Sequence, residues 1–156
     1  MKFEDPPLGF YFEVSFKGSS GGAEKLAFQE VSGISMERNT EEVQEGGLNR
    51  FTHHLPSQVK HSPLSLRRGI PTSAKSKFAT WVQNTVNADL SQAIEPKTIT
   101  VSLLDSRAKS DNENILMSWD FHNAYPTKWS VSDFKSQAND VVIESLEFRY
   151  QDFVKN

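Results

Sequence analysis

Apolar and polar side chains alternate strictly near the start of this chain, as they do in a half-buried β-strand. Phe10, Phe12, Val14 and Phe16 are separated by more polar residues throughout the segment. Because successive side chains of a β-strand point to opposite faces, the pattern predicts a strand with one buried face. The same alternation recurs in residues 98–104, 115–121 and 141–153.

Two further segments predict extended structure with an interruption. Residues 25–36 predict a strand whose phase slips near Val31, and Gly33 indicates a bulge or a bend there. Residues 122–128 predict a turn through Pro126, followed by a short extended piece at residues 129–131.

One segment, residues 73–87, has the period of a helix. Thr72 or Ser73 can cap its first turn. Its apolar residues recur at the i, i+3 and i+4 spacing of a helix that buries one stripe. They are Phe78, Trp81, Val82 and Val86. We predict one α-helix, with Trp81 as a core anchor.

These segments predict a mainly β fold, an antiparallel β-barrel or sandwich with one packed α-helix and a long extended arm. The chain has 156 residues, which favours a single domain over residues 1–156 with a core of its own. Eleven Phe and three Trp residues supply large side chains for that core.

The arm, residues 38–70, has no sustained apolar period. A connection of this length without structure of its own is uncommon in a compact domain and is usually functional or disordered. Its apolar, Gly and Pro residues include Gly46, Gly47, Phe51, Leu55, Pro56, Val59, Pro63 and Leu64. Because the domain does not need these apolar side chains for its own core, we predict that the arm contacts another subunit.

Charge and composition argue against several classes of protein. The formal net charge is −3, whereas a nucleic-acid-binding surface is normally basic. The chain has no cysteine, which removes disulfides and thiolate ligands. Residues 1–10 lack the apolar run of a signal peptide, and no segment approaches the roughly 20 apolar residues of a spanning helix. We expect a protein made in the cytosol without stable membrane insertion.

No set of residues predicts catalysis or a bound cofactor. Residues 18–22 match G-x-S-x-G, but a nucleophile elbow needs a helix after it, and here a strand follows. His53 and His54 are adjacent, so on an extended segment they point to opposite sides and would not easily share a metal ion. Nothing brings His122 together with Asp120 as an acid–base pair. We predict a protein that is not an enzyme, with no metal site and no cofactor.

The chain contains an ordered set of short motifs: V-x-G-[IL] at residues 31–34, E-G-G at 45–47, L-P at 55–56 followed by Lys60, the basic strand at 64–69, a helix with Trp81, W-x-F-x-N-A-x-P-x-K-W at 119–129 and I-E-x-L-E-[FL] at 143–148. In these motifs it resembles the T4-like tail tube proteins, a family shared by contractile phage tails and extracellular contractile injection systems. Each motif is short, but together they cover nearly the whole chain in order.

The resemblance implies a tail-tube-like fold and a structural subunit. Such proteins form hexameric rings that stack into a rigid hollow tube inside a contractile sheath, and the lumen conducts cargo. The implied partners are further copies of the chain, a sheath protein, a baseplate and a tube-terminator protein. The particle would be assembled in the cytoplasm and would be a phage virion or a contractile injection particle.

The resemblance and the residues together predict two surfaces. The arm would reach an adjacent subunit or ring, with its contacts at Gly46, Gly47, Phe51, Leu55, Pro56 and Val59. The polar face of the strand at residues 98–104 would line the lumen through Thr98, Thr100 and Ser102.

Two alternatives stay open at the level of sequence. One is a tube-initiator protein at the baseplate of the same kind of particle. The other is a β-rich carbohydrate-binding module that uses Trp81, Trp119 and Trp129 as stacking platforms.

Overall fold

The computed structural model describes residues 10–18, 22–44, 46–47, 50–70, 76–89, 91–105, 115–133 and 141–156. Within these ranges it contains ten strands and one helix. The elements are β1 (Phe10–Lys17), β2 (Ala23–Phe28), β3 (Glu30–Ser32), β4 (Met36–Val43), β5 (His53–His61), β6 (Leu64–Gly69), α1 (Lys77–Asn87), β7 (Lys97–Asp105), β8 (Ile115–Val131), β9 (Ile143–Arg149) and β10 (Asp152–Lys155). All strand pairs in the described ranges are antiparallel, so the predicted mainly β, antiparallel fold with one helix is confirmed.

The main sheet closes on itself as a barrel. Its strands follow the order β2-β1-β7-β8-β9-β6-β3, and β10 pairs with β8 beside this path. The first and last strands of the path are consecutive in the chain, because only Gln29 separates β2 from β3. The backbone N–H of Gln29 donates to the carbonyl oxygen of Arg67 on β6 at 3.0 Å, which continues the ladder across the junction. Closure leaves few free edges in the main sheet.

The turn predicted at residues 122–128 is wrong, because residues 115–131 form one continuous strand of 17 residues. β8 pairs with β7 along its first half and with β9 along its second half. A bend at Asn123, whose φ is 51°, lets the strand pass from one half of the barrel to the other. Pro126 lies at a bulge, because the register shifts between Pro126 and Lys128. At a bulge, the ladder does not require the backbone N–H that proline lacks.

The closing segment, predicted as one strand at residues 141–153, is interrupted at Tyr150 and Gln151. Its two parts, β9 and β10, both pair with β8 in order along the same strand. The interruption lies opposite the bend of β8, where the backbone N–H of Gln151 donates to the carbonyl oxygen of His122 at 2.9 Å. The segment therefore follows the bend of its partner.

Aromatic side chains from the barrel and from α1 form the core. Phe16 of β1 lies 4.2 Å from Phe78 between ring centroids, and Trp81 stacks on Phe148 at 6.0 Å. The indole N–H of Trp81 donates to the carbonyl oxygen of Glu95 at 2.9 Å, so its one polar atom is satisfied. Trp81 is buried, as the prediction of a core anchor requires.

The helix begins later than predicted and has a different cap. Its first residue is Lys77, and the hydroxyl of Ser76 accepts a hydrogen bond from the backbone N–H of Ala79. The predicted caps, Thr72 and Ser73, lie outside the described residues. Val86, which was predicted to share the buried stripe, is exposed.

The predicted arm, residues 38–70, is not a connection without secondary structure. Residues 38–43 and 53–61 belong to a separate two-stranded sheet formed by β4 and β5, which we call the hairpin. Its last part is β6, a strand of the barrel, where Leu64 and Leu66 are fully buried. Leu64 is therefore a core residue and not an anchor for another subunit.

Gly33 forms the bend at which the chain leaves the barrel for the hairpin. Its φ is +86°, and a Cβ atom there would lie 1.9 Å from the carbonyl oxygen of Pro63. Glycine tolerates this left-handed conformation, and only a residue without a Cβ fits against the Pro63 carbonyl. The predicted bend at Gly33 is confirmed.

We expect Gly33→Ala to lower the free energy of unfolding by about 2 kcal/mol or more, because it combines backbone strain with a steric clash. Urea unfolding of the monomeric chain measures this. Gly22→Ala is the control, since a Cβ at Gly22 meets nothing within 4 Å. Equal losses in the two variants would contradict the prediction.

Candidate functional surfaces

The hairpin stands away from the barrel with both faces in solvent. β4 and β5 pair only with each other, and nearly all of their residues are exposed. Large apolar side chains are among them: Phe51 is 58%, Leu55 52% and Val59 40% exposed. An isolated two-stranded hairpin is marginally stable in water, so these side chains are poorly placed for a free monomer.

The turn predicted at Gly46 and Gly47 lies in the connection between β4 and β5. Gly47 has φ +108°, a conformation that glycine adopts without cost, and nothing lies within 4 Å of a Cβ built at either glycine. The two residues therefore form an open, exposed tip.

A bulge in the hairpin decides which side chains share a face. Arg38 opposes Val59, but Thr40, two residues along β4, opposes Pro56, which is three residues along β5. The extra residue on β5 changes the phase of every side chain beyond it. Leu55 and Val59, which the spacing of four residues would place together, consequently point to opposite faces.

The exposed apolar residues of the hairpin fall into two groups. The tip patch consists of Val43, Phe51 and Leu55. Phe51 belongs to it because its ring lies 5.0 Å from that of His53, the cross-strand partner of Val43. The base patch, on the other face, consists of Met36 and Val59.

Side-chain contacts hold the base of the hairpin to the barrel. The ring of His61 lies 5.5 Å from that of Tyr150 and 5.6 Å from that of Phe153. The hydroxyl of Tyr150 donates to the carbonyl oxygen of Ser62 at 2.7 Å. The sequence does not identify these residues as contacts, because nothing in the local pattern links residues 61 and 62 to residues 150 and 153.

The predicted lumen residues lie on a polar face of the barrel. Thr98, Thr100 and Ser102 alternate along β7 with the buried Ile99 and Val101. Ser102 is itself only 7% exposed, so it is less accessible than the two threonines.

The polar face extends over the neighbouring strands. Thr100 lies between Ser15 of β1 and Asp120 of β8 in the register of the sheet. The carboxylates of this face have partners: Glu13 is 3.0 Å from Lys25, and Asp152 is 2.8 Å from His122. Both pairs are exposed, so water screens them and they contribute little to stability.

Asp120 is the most tightly held carboxylate of the polar face. The hydroxyl of Thr100 donates to it at 2.6 Å, and the side-chain amide of Asn156 donates to its other oxygen at 2.9 Å. The Thr100 hydrogen bond is the main cause that lowers the pKa of Asp120 below its ordinary value of 3.8, and partial desolvation opposes it. Asp120 is therefore a fixed negative charge at neutral pH.

The residues considered for other chemistry do not form a site. His122 pairs with Asp152 and not with Asp120. Among the described residues, no group of three or more His, Asp or Glu side chains could hold a metal ion. No helix in the described part of the chain is long and apolar enough to cross a membrane.

The tryptophans do not form the platform that a carbohydrate-binding module would need. Trp81 is buried against Phe148, and Trp119 packs against the same core. Trp129 is half exposed, and its indole N–H donates to Glu144 at 2.8 Å. Since aromatic platforms need an open ring face, Trp81 cannot serve as one.

A sequence model described as the T4-like virus tail tube protein gp19 matches residues 8–154. No curated protein matches the chain significantly.

Solved structures match almost the whole chain. A chain in the six-fold symmetrised cryo-EM structure of the anti-feeding prophage baseplate is 25% identical, with a TM-score of 0.83 over 99% of this chain and 97% of that one. A chain in the extended sheath-tube complex of the PVC extracellular contractile injection system is 27% identical, with a TM-score of 0.76 over 99% and 93%. Hcp1 from Flavobacterium johnsoniae shares the fold at 12% identity, with a TM-score of 0.53 over 92% and 94%.

We expect Thr100→Val to raise the pKa of Asp120, because it removes the strongest hydrogen bond and leaves the desolvation in place. Carboxyl NMR titration measures this directly. A carboxylate with a lowered pKa stabilises the fold above its unfolded-state pKa, and this stabilisation is lost as the pH falls through the folded-state value. The variant should therefore lose it at a higher pH than the wild type. Thr98→Val is the control, and a titration of Asp120 that is the same in wild type and Thr100→Val would refute the assignment.

Proposed function

The chain belongs to the T4-like virus tail tube protein family, and on that premise we propose that it forms hexameric rings that stack into the inner tube of a contractile injection particle. It is a structural protein and not an enzyme, as are its relatives. The observation that carries the proposal is the hairpin, which exposes apolar side chains on both faces and has no partner strand beyond itself in the described chain. A further copy of the chain is the partner that a tube provides.

The form of such a contact is compatible with rings. When a projecting element of one copy binds a different surface on the next copy, the interface is heterologous, and it generates either a closed ring or an open filament. The six-fold symmetry of the anti-feeding prophage baseplate, in which one similar chain lies, supports rings of six. Gly46, Gly47, Phe51, Leu55, Pro56 and Val59 are the proposed interface residues, all exposed on the hairpin.

The polar face of β7 and its neighbours is the proposed lumen surface. Thr98, Thr100 and Ser102 lie on it, and the carboxylate of Asp120 is held in place there. Hydroxyl groups and charges such as these do not bind passing cargo through hydrophobic contact. The sheath, baseplate and tube-terminator proteins are the proposed partners, and assembly in the cytoplasm is part of the same proposal.

A tube initiator at the baseplate is the second candidate, and one observation favours it. The TM-score is 0.83 for the chain from the baseplate structure and 0.76 for the chain from the sheath-tube complex. Negative-stain images of the purified chain separate the two roles. A main tube protein forms long tubes alone, whereas an initiator stops at one or a few rings.

Shortening the hairpin tests whether it joins the subunits. Met36 and His61 are cross-strand partners, so residues 37–60 can be replaced by an Asn-Gly turn that keeps these two residues opposite each other and removes the tip patch together with Val59. The buried core contains no residue of β4 or β5, so the variant should fold with a thermal midpoint close to that of the wild type. We expect it to form neither rings nor tubes by negative stain and sedimentation. Long tubes from a folded variant would rule out the proposed role of the hairpin.

Thiol labelling tests the lumen surface. The chain has no cysteine, so Thr98→Cys and Gln83→Cys each introduce a single thiol, the first on the polar face and the second on an exposed position of α1. In assembled tubes, a small maleimide should label both variants. A maleimide attached to a polymer wider than the channel should label only Gln83→Cys. Full labelling of Thr98→Cys by the large reagent along intact tubes would contradict a lumen position.

A further inference from the structure

The two apolar patches of the hairpin lie on opposite faces and at different positions along its strands. We propose that the hairpin binds two different neighbouring copies of this chain at once, one through the tip patch and one through the base patch. This inference rests on the proposed function, because it concerns the same interface, and it adds that the interface has two separable halves.

The bulge is the first step of the argument. Without it, Leu55 and Val59 would share a face, and one continuous apolar stripe would run along β5. The shift in register between Arg38 and Thr40 breaks this stripe, so Leu55 faces one side and Val59 the other. One flat partner surface cannot cover both side chains.

The distance between the patches is the second step. Val43 is in the tip patch and Met36 is in the base patch, at opposite ends of β4. A strand rises about 3.4 Å per residue, which places these two residues roughly 24 Å apart. A groove that gripped both patches would have to enclose almost the whole hairpin from both sides.

The chemistry around each patch is the third step. Glu41 is exposed on the face of the tip patch, because it is the cross-strand partner of Leu55. Arg38 is exposed on the face of the base patch as the cross-strand partner of Val59, and this patch adjoins the barrel through His61. The tip patch therefore fits a surface with basic groups, and the base patch fits one with acidic groups.

Copies of the same chain are the occupants that satisfy both requirements. A tube of stacked rings needs one contact around the ring and another along the axis, and both are heterologous in a tube whose subunits all point the same way. The barrel surface presents charges of both signs in exposed ion pairs, Arg67 with Glu30 and Lys128 with Glu147, so either patch can meet an opposite charge on a neighbouring barrel.

Paired substitutions test whether the two patches act separately. One variant combines Phe51→Ser with Leu55→Ser in the tip patch, and the other combines Met36→Ser with Val59→Ser in the base patch. Removing two large apolar contacts should raise the protein concentration needed for assembly by about tenfold or more in each variant. We expect different products by negative stain and sedimentation: rings that do not stack from one variant, and species smaller than a ring from the other.

Thr40→Ser and Gln58→Ser are the matched controls, because they alter exposed polar residues of the same strands and should assemble like the wild type. Single thiols give a second readout that does not depend on disrupting the fold. Leu55→Cys and Val59→Cys should both be protected from a maleimide in tubes, whereas in isolated rings one should be protected and the other reactive.

The outcomes distinguish this inference from the proposal on which it rests. If the wild type forms tubes but both paired variants stop at the same product, or both thiols change protection together, the two-neighbour inference is overturned and the tube proposal stands. If either paired variant assembles like the wild type, the inference also fails. If the wild type forms no ring or tube with its partner proteins present, the proposed function is overturned together with this inference.

Discussion

Backbone pairing along β8 joins the two halves of the barrel. This strand of 17 residues is paired with β7 on one edge and with β9 and β10 on the other. Buried backbone N–H and carbonyl groups need partners, and a continuous strand supplies them to both halves of the barrel without a break. The bend at Asn123 then brings Phe121 and Phe148 into a single core with α1.

The barrel and the hairpin distribute apolar residues in opposite ways. The barrel follows the usual arrangement, in which strands bury alternate side chains and present polar ones to solvent. The hairpin buries almost nothing within the chain and is held at its base by Tyr150 and the ring of His61. As the proposed interface, such a surface would recognise a large protein partner by area, and it would not need the enclosed pocket of an enzyme.

A solved structure with low sequence identity shares this fold, which is consistent with the difference between barrel and hairpin. Hcp1 from Flavobacterium johnsoniae has a TM-score of 0.53 at 12% identity. A barrel defined by antiparallel pairing tolerates many side-chain sets, provided that the inward positions stay apolar. On the proposed function, the specificity of assembly would depend on particular residues, and here on the phase of the side chains along the hairpin.

Local pattern was sufficient to predict the strands at residues 10–16 and 98–104, the Gly33 bend and the burial of Trp81, because each depends on neighbouring residues only. It also placed Thr98, Thr100 and Ser102 on one polar face. Pattern did not reveal which segment pairs with which. It divided β8 into two strands with a turn at Pro126, because a proline predicts a turn until a bulge beside it provides another solution.

The candidate interface likewise combines features that the local sequence predicts with features that only the tertiary structure decides. The apolar residues of the hairpin were visible as an excess over what the core needed, and the tip at Gly46 and Gly47 was visible as a turn. The faces on which Leu55 and Val59 lie were not visible, since they depend on one inserted residue in the register between β4 and β5. Alternation along one strand shows which side chains share a face, but it does not show toward which neighbour that face is directed. Only pairing with a second strand sets the phase, and that phase decides which side chains can meet a neighbouring molecule together.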